Sequence, residues 1–224
     1  HSDWQSIVSD IKKFGSKGKK TAVVSTINGD ANVPFYKELG NQGISAEDIP
    51  VVAFSVGEEE LSGIDTKPLV GHLAAWNYFE SVDTPENEAF IKSWKKFTGN
   101  DKRVTNDPME ATYIGFQMWT QAVTKAGTTD VNKVEQAMIG QQAPNLTGGM
   151  AVMNKNHPLS KPVLIGEIQD DGQFEVVWET EGLVAGDAWS DFLPGSKDLI
   201  ADWTAPIKCG NYNTKTKTCS GQTY

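Results

Sequence analysis

Thr21-Ala22-Val23-Val24-Ser25-Thr26-Ile27, closed by Asn28-Gly29-Asp30, is the stretch on which the fold class turns. A short β-branched run is the mark of a buried strand, and an Asn-Gly-Asp triplet breaks it. On its N-terminal side, Trp4, Ile7, Val8, Ile11 and Phe14 recur on one face of a helix over 2–14, with Ser2 and Gln5 at capping-box spacing. Gly15 to Lys20 is a basic turn between the two. On its C-terminal side, a helix is expected over 33–42, with Pro34 tolerated in the first turn. Val51-Val52-Ala53-Phe54-Ser55 is a second strand. Glu58-Glu59-Glu60-Leu61 then opens a helix whose acidic start suits the positive end of the helix dipole. Leu69 to Ala75 is a third strand. Helix and strand alternate throughout, so the sequence predicts an α/β fold with a parallel, doubly wound sheet.

The rhythm changes after Trp76, where an extended connector runs to Asp83. Three helices follow with no strand between them, over 84–97, 107–126 and 130–139. Thr84 and Asp107 open the first two, each followed by a proline in the first turn, and Asp130 opens the third. Such helices need a partner surface, and part of their apolar stripe (Phe90, Trp94, Tyr113, Trp119) is expected to be exposed. The β pattern returns after Gly148, over 150–153, 162–169 and 174–179, with Asp170-Asp171-Gly172 as a hairpin turn.

The chain has 224 residues, with 20 basic and 29 acidic side chains and a net charge of −9, which disfavours a nucleic acid partner. At 38% hydrophobic and 22% charged it is globular rather than disordered. No apolar run reaches the roughly 18–20 residues of a membrane span. The absence of an initiator methionine and of a signal peptide suggests a fragment of a longer polypeptide. Cys209 and Cys219 bracket a short polar stretch; a disulfide, and with it an oxidising compartment, is expected, with two free surface thiols as the alternative.

Motifs for catalysis are missing. There is no G-x-G-x-x-G, G-x-S-x-G or H-E-x-x-H, and Gly15-Ser16-Lys17-Gly18-Lys19-Lys20 lacks Walker spacing. His1, His72 and His157 stand apart from any partner nucleophile. No catalytic residue, metal ligand or cofactor is therefore expected, and the chain does not read as an enzyme. In an open α/β sheet, ligands bind outside the carboxyl ends of the strands. That rule marks Ile27-Asn28-Gly29-Asp30, Ser55-Val56-Gly57-Glu58 and Ala75-Trp76-Asn77 as one rim. Gly29 lets backbone approach a ligand. Asp30 and Asn28 offer an acceptor and an amide. Asp30 is open to two roles, helix cap or ligand contact, and so is the Ser55 hydroxyl.

Several stretches together carry a resemblance. They are Thr26-Ile27-Asn28-Gly29-Asp30-Ala31-Asn32-Val33, Phe54-Ser55-Val56-Gly57-Glu58-Glu59-Glu60-Leu61, Gly71-His72-Leu73-Ala74-Ala75-Trp76-Asn77-Tyr78-Phe79, Asn106-Asp107-Pro108-Met109-Glu110-Ala111 and Lys161-Pro162-Val163-Leu164-Ile165-Gly166-Glu167-Ile168. With Cys209-Gly210-Asn211-Tyr212-Asn213 and Thr218-Cys219-Ser220, they cover almost the whole chain. It resembles the urea-binding receptors of bacterial ABC urea transporters, within the amide and branched-chain amino-acid class of periplasmic binding proteins. The resemblance implies a type I periplasmic-binding-protein fold of two α/β lobes joined by a three-segment hinge, of which this is the C-terminal portion. Residues 1–76 would lie in the second lobe and 77–83 would cross the hinge. Helices within 84–140 would belong to the first lobe, whose sheet lies outside this chain. Residues 141–180 would return to the second lobe, and 181–224 would form a tail with the disulfide loop.

The implied function is delivery of urea or a short-chain amide to the membrane permease of an ABC transporter, in the periplasm or exported to the cell envelope, with anchoring through a missing N-terminus as one form of this. Ligand contacts are expected from Asp30, Asn28, Gly29 and Ser55. The alternatives are a branched-chain amino-acid receptor, with Glu58 as the ammonium partner, and an amide-sensing regulatory receptor, against which the cysteine loop argues.

Overall fold

The structure is a computed structural model that describes residues 3–187, 212–213, 216 and 218–219. Helix α1 (Trp4–Gly15) is capped by Asp3, whose carboxylate accepts the Ser6 amide at 3.1 Å, rather than by Ser2. Val8 is its one fully buried apolar side chain, and Trp4 and Ile11 pack at the margin of the same core. Strand β1 (Val23–Ser25) is shorter than the run that predicts it, because the chain turns away after Ser25, whose hydroxyl accepts the Ile27 amide at 3.4 Å. A 3-10 turn (Gly29–Ala31) leads into α2 (Asn32–Asn41), which buries Phe35, Tyr36 and Leu39.

Strand β2 (Val51–Ala53), a single-turn helix α3 (Glu58–Leu61) and strand β3 (Leu73–Trp76) follow. Leu69, expected to start the third strand, instead ends a 3-10 turn over Lys67–Leu69 that contains Pro68. A proline fixes φ and donates no ladder bond, so the strand begins later. His72 is buried there; its Nδ1 accepts the Val51 amide at 3.0 Å and so helps to fix the neighbouring strand. β1, β2 and β3 are parallel, with Val23 opposite Val51 and Val52 opposite Leu73.

The sheet is not wholly parallel. Strands β7 (Leu164–Ile168) and β8 (Phe174–Glu179), separated from β3 by the residues described next, extend it in the order β1-β2-β3-β7-β8, with β7 antiparallel to both neighbours. A tight hairpin, with Gly172 at φ 81°, makes β7 and β8 antiparallel to each other. The connector is not simply extended either. Tyr78 and Phe79 are fully buried, and Phe79 stacks on Phe174 with ring centroids 4.6 Å apart. Gly166 makes room for both rings: a Cβ there would lie 2.9 Å from each.

Helices α4 (Pro85–Thr98), α5 (Asp107–Ala126) and α6 (Val131–Met138) form at the expected places. Thr84 and Asp130 cap as predicted, whereas Asn106, not Asp107, caps α5 by accepting the Met109 amide at 3.0 Å. Residues 142–160 form a second sheet of their own, β4 (Gln142–Pro144), β5 (Met150–Met153) and β6 (Leu159–Ser160), all antiparallel. Ala143, Ala151 and Met153 pack on Ile114 and Met118 of α5. The chain rejoins the main sheet at Leu164. As the unpartnered stripe suggests, Tyr113 and Trp119 are both 42% exposed, while Phe90 is buried at 8%.

The chain divides into two units, 1–186 and 187–224. In the second, β9 (Tyr212–Asn213) pairs antiparallel with β10 (Thr218–Cys219). Cys209 lies outside the described residues, and the expected Cys209–Cys219 disulfide with it.

Candidate functional site

The rim at the carboxyl ends of β1, β2 and β3 is built from the loops over 26–31 and 54–57 and from Trp76. Gly29 has φ 59°, and the space where a side chain would sit is open. Glycine is therefore set there by backbone conformation. Asn28 is extended and exposed, and its side chain makes no cap bond. Asp30 is exposed within the 3-10 turn. The N-cap of α2 is Ala31, with no side-chain cap bond, so the Asp30 carboxylate does not cap that helix. Of the two roles the sequence leaves open for it, capping is removed.

A residue that sequence reasoning missed holds this rim together. Asn32 is fully buried, and its Nδ2 donates to the carbonyl oxygens of Ile27 at 3.0 Å, Gly29 at 3.2 Å and Ser55 at 3.4 Å. The signal was available: asparagine side chains compete for local backbone groups at helix starts. Ser55 is half-buried and contributes its carbonyl to this knot. Asn28, Gly29, Asp30 and Ser55 are thus brought together.

Trp76 lies beside the same loops, with Cζ3 3.5 Å from where a Cβ on Gly57 would stand. Glu60 accepts the Gly57 amide at 2.9 Å. Burial pushes the Glu60 carboxyl above the ordinary range, and the charges of Glu59 and Asp30 add to this. The rim is therefore an acidic, acceptor-rich surface.

Glu58 is not part of it. The side chain is 2% exposed and turned into the protein, where Oε1 accepts the Ser81 amide at 3.1 Å and stands 3.2 Å from the Ser81 hydroxyl. Oε2 is buried without a partner, and burial pushes the carboxyl up to about 7. The expectation of an open ammonium partner at Glu58 is corrected accordingly. A helix of one turn points successive side chains in very different directions, so a run of three glutamates does not share one face.

Beside the rim, the connector is laced to its surroundings. The Asn77 amide donates to Asp107 at 3.2 Å, and its side chain donates to the Pro162 carbonyl at 2.7 Å. Asn106 donates to Glu59 at 2.6 Å. Lys161 forms a buried ion pair with Glu110. These contacts bring the start of α5 against the connector, α3 and Lys161. Among the described residues no group of His, Cys, Asp and Glu is arranged to hold a metal ion, and no helix is long and apolar enough to cross a membrane.

Residues 1–195 match the family described as periplasmic binding protein domain. A curated protein of Geobacillus stearothermophilus, named limonene hydroxylase, is 36% identical over 116 residues, 52% of this chain and 21% of that protein. A Leu/Ile/Val-binding protein homolog of Brucella melitensis is 23% identical over 177 residues, 77% of this chain and 44% of that one. Among solved structures, an amino acid ABC transporter substrate-binding protein of Pseudomonas fluorescens Pf-5 has a TM-score of 0.68 at 21% identity, covering 84% of this chain and 51% of that one. A benzoate-bound solute-binding protein of R. palustris gives 0.67 at 18%, covering 84% and 49%. At these identities the structural likeness is one of fold, which is the type I periplasmic-binding-protein fold with a mixed sheet. The chain spans less than half of the curated relatives' length and about half of the solved chains'.

Proposed function

This chain belongs to the periplasmic binding protein family, and we propose that the whole protein captures a small solute at the rim of β1–β3 and delivers it to the membrane permease of an ABC transporter. The observation that carries the reading is Asp30. It is an exposed carboxylate on a glycine turn, free of any capping duty and held beside Ser55 by the Asn32 knot. A carboxylate on a preformed loop costs little to order on binding. Among the rim residues 26–31, 54–57 and 76 there is no lysine or arginine. An acceptor-rich rim without a cation suits a neutral ligand with several N–H donors, such as urea or a short-chain amide.

The second reading is a branched-chain amino acid. The Brucella melitensis relative supports it by name. In that case the α-ammonium group would be met by Asp30 rather than by Glu58. The match to the Geobacillus stearothermophilus protein covers 21% of that protein and adds no activity to this reading.

In the proposed organisation, residues 1–76 with β7 and β8 form one lobe and 77–83 is a hinge segment. Helices α4–α6 belong to a second lobe whose own sheet comes from outside this chain. An apolar groove of about 550 Å³ between α4 and α5, lined by Phe90, Trp94, Met109 and Tyr113, supports this. Export to the periplasm or cell envelope, and a Cys209–Cys219 disulfide there, go with the same reading. Calorimetry of the intact protein against urea, acetamide and leucine tests it. Heat on urea or acetamide alone supports the amide reading, heat on leucine alone the second, and no heat with any of the three counts against both.

A further inference from the structure

The indole of Trp76 brings a fixed donor to the rim. Its Cζ3 and Cε3 lie 3.5 and 3.8 Å from where a Cβ on Gly57 would stand, so this side of the ring system meets the loop over 54–57. Covalent geometry puts Nε1 on the other side of the indole. That N–H has no hydrogen-bond partner among the described residues and is not sealed from solvent. An indole nitrogen can only donate. The ring is half-buried and packs on the main core, and its backbone pairs with Leu164. The donor is therefore in place before a ligand arrives and costs little to order.

The groups around it accept. Glu60 Oε2 lies 3.7 Å from the same position on Gly57 and takes the Gly57 amide at 2.9 Å. The charge of Asp30 acts on Glu60, so the indole and both carboxylates share one patch. By charge alone this patch would choose a cation. Guanidinium is the sharpest competitor, because it is planar, close to urea in size, and has donors only. Urea and primary amides differ from it in one respect, a carbonyl oxygen that accepts. A fixed N–H bonds that oxygen. Against guanidinium it sets donor to donor and leaves both unpaired, which is the strong form of rejection.

We propose that Trp76 is the specificity-determining residue of the rim: its Nε1–H donates to the carbonyl oxygen of the ligand and so selects a neutral carbonyl compound, urea or a primary amide, over the guanidinium cation that the carboxylates would otherwise favour. The labour is divided between the two ends of the patch. Asp30 takes N–H groups of the ligand, and Trp76 takes its oxygen. Attraction comes from the hydrogen bond, and discrimination comes from the donor that a cation cannot satisfy. This role rests on the capture of a solute at the rim, and it adds the group that reads the carbonyl.

The test is calorimetry of the intact protein against urea, acetamide, leucine and guanidinium chloride, for the parent and Trp76→Phe, with nitrogen-15 NMR of the indole groups. The parent is expected to bind urea or acetamide more tightly than guanidinium. Trp76→Phe keeps an aromatic ring and removes the donor. Its affinity for the carbonyl ligand is expected to fall about twofold to tenfold, as for loss of a neutral hydrogen bond. Its guanidinium affinity is expected to rise, so the ratio of the two moves by about fivefold or more. In the parent, the Trp76 indole N–H is expected to exchange with solvent when ligand-free and to shift downfield and become protected with urea or acetamide. That readout needs no variant and decides the matter if Trp76→Phe does not fold. A parent that prefers guanidinium or binds leucine alone would overturn the role of Trp76 and leave capture at the rim intact. So would an unchanged ratio in folded Trp76→Phe, or an indole N–H unmoved by a bound carbonyl ligand. No heat with any of the four would overturn the capture reading and this role with it.

Discussion

Asn32 is tied to Ile27 by a 3.0 Å hydrogen bond from its buried side-chain amide to the Ile27 carbonyl, and the same nitrogen reaches Ser55 on the next rim loop at 3.4 Å. One side chain thereby couples the ends of two parallel strands. Asn32→Ala leaves the carbonyls of Ile27, Gly29 and Ser55 short of a donor and is expected to cost about 1–3 kcal/mol of stability. Asn32→Asp, which turns an acceptor toward those carbonyls, is expected to cost more. Guanidinium denaturation of both variants measures this. An alanine variant as stable as the parent would show that the knot is incidental.

Asp30→Ala is expected to act on binding rather than on folding. The carboxylate caps nothing, so the melting temperature should hold within about a degree or two of the parent, as for surface substitutions. Hydrogen bonds to a charged acceptor contribute roughly 1.5–3 kcal/mol, so affinity for urea or acetamide should drop about tenfold to a hundredfold. Calorimetry and a thermal melt on the same preparation decide it. Intact affinity would shift the ligand contact away from Asp30.

Lys161→Met strands a buried carboxylate. Glu110 is fully buried, and its Oε1 has no partner even when Lys161 is present. Breaking a buried pair from one side costs roughly 3–5 kcal/mol, whereas replacing both partners by apolar groups is often neutral. Lys161→Met alone should therefore unfold at much lower denaturant than the double variant Lys161→Met/Glu110→Leu. Equal midpoints for the two would contradict the pairing.

Stability should also depend on pH through Glu58. Its carboxyl is raised from 4.5 in the unfolded chain to about 7 in the folded one, with burial as the main cause. The folded state then binds the proton more tightly than the unfolded state. Its contribution is full below the unfolded value and is lost as pH rises through the folded value. The expected loss between about pH 4.5 and about pH 7 is roughly 3 kcal/mol. Burial pushes Glu110 in the same direction against the pull of Lys161, and Glu60 and Asp107 likewise, so the parent's slope has further sources. Glu58→Gln should flatten the curve in part and be more stable than the parent above neutrality. Denaturation midpoints across that range, parent against variant, provide the comparison.

Much of the scaffold was legible in the residues. The β-branched runs located β1 and β2, and the proline-marked starts located α4 and α5, because these signals are local. β4 and β6 escaped: strands of two or three residues have no periodicity to read. The antiparallel setting of β7 against β3 also escaped, since direction is decided by where the chain returns and not by what the strand contains. At the site, Gly29 and Asp30 were found from the strand-end rule. Glu58 was misjudged because orientation within a one-turn helix depends on the connector packed against it. Asn32 looked like an ordinary helix residue, and its three carbonyl partners come from two loops that only the fold brings together.

Trp76 ends β3 directly opposite Leu164, the first residue of β7. The chain thus leaves the sheet and re-enters it at adjacent points, after building three helices and a second sheet in between. Topologically those residues are a graft held at both ends across a single strand spacing. A short hairpin joining Trp76 to Leu164 would excise the graft and leave every strand pairing of the main sheet in place. The connector's contribution of Phe79 to the core, stacked on Phe174 under Gly166, is what such an excision would have to replace.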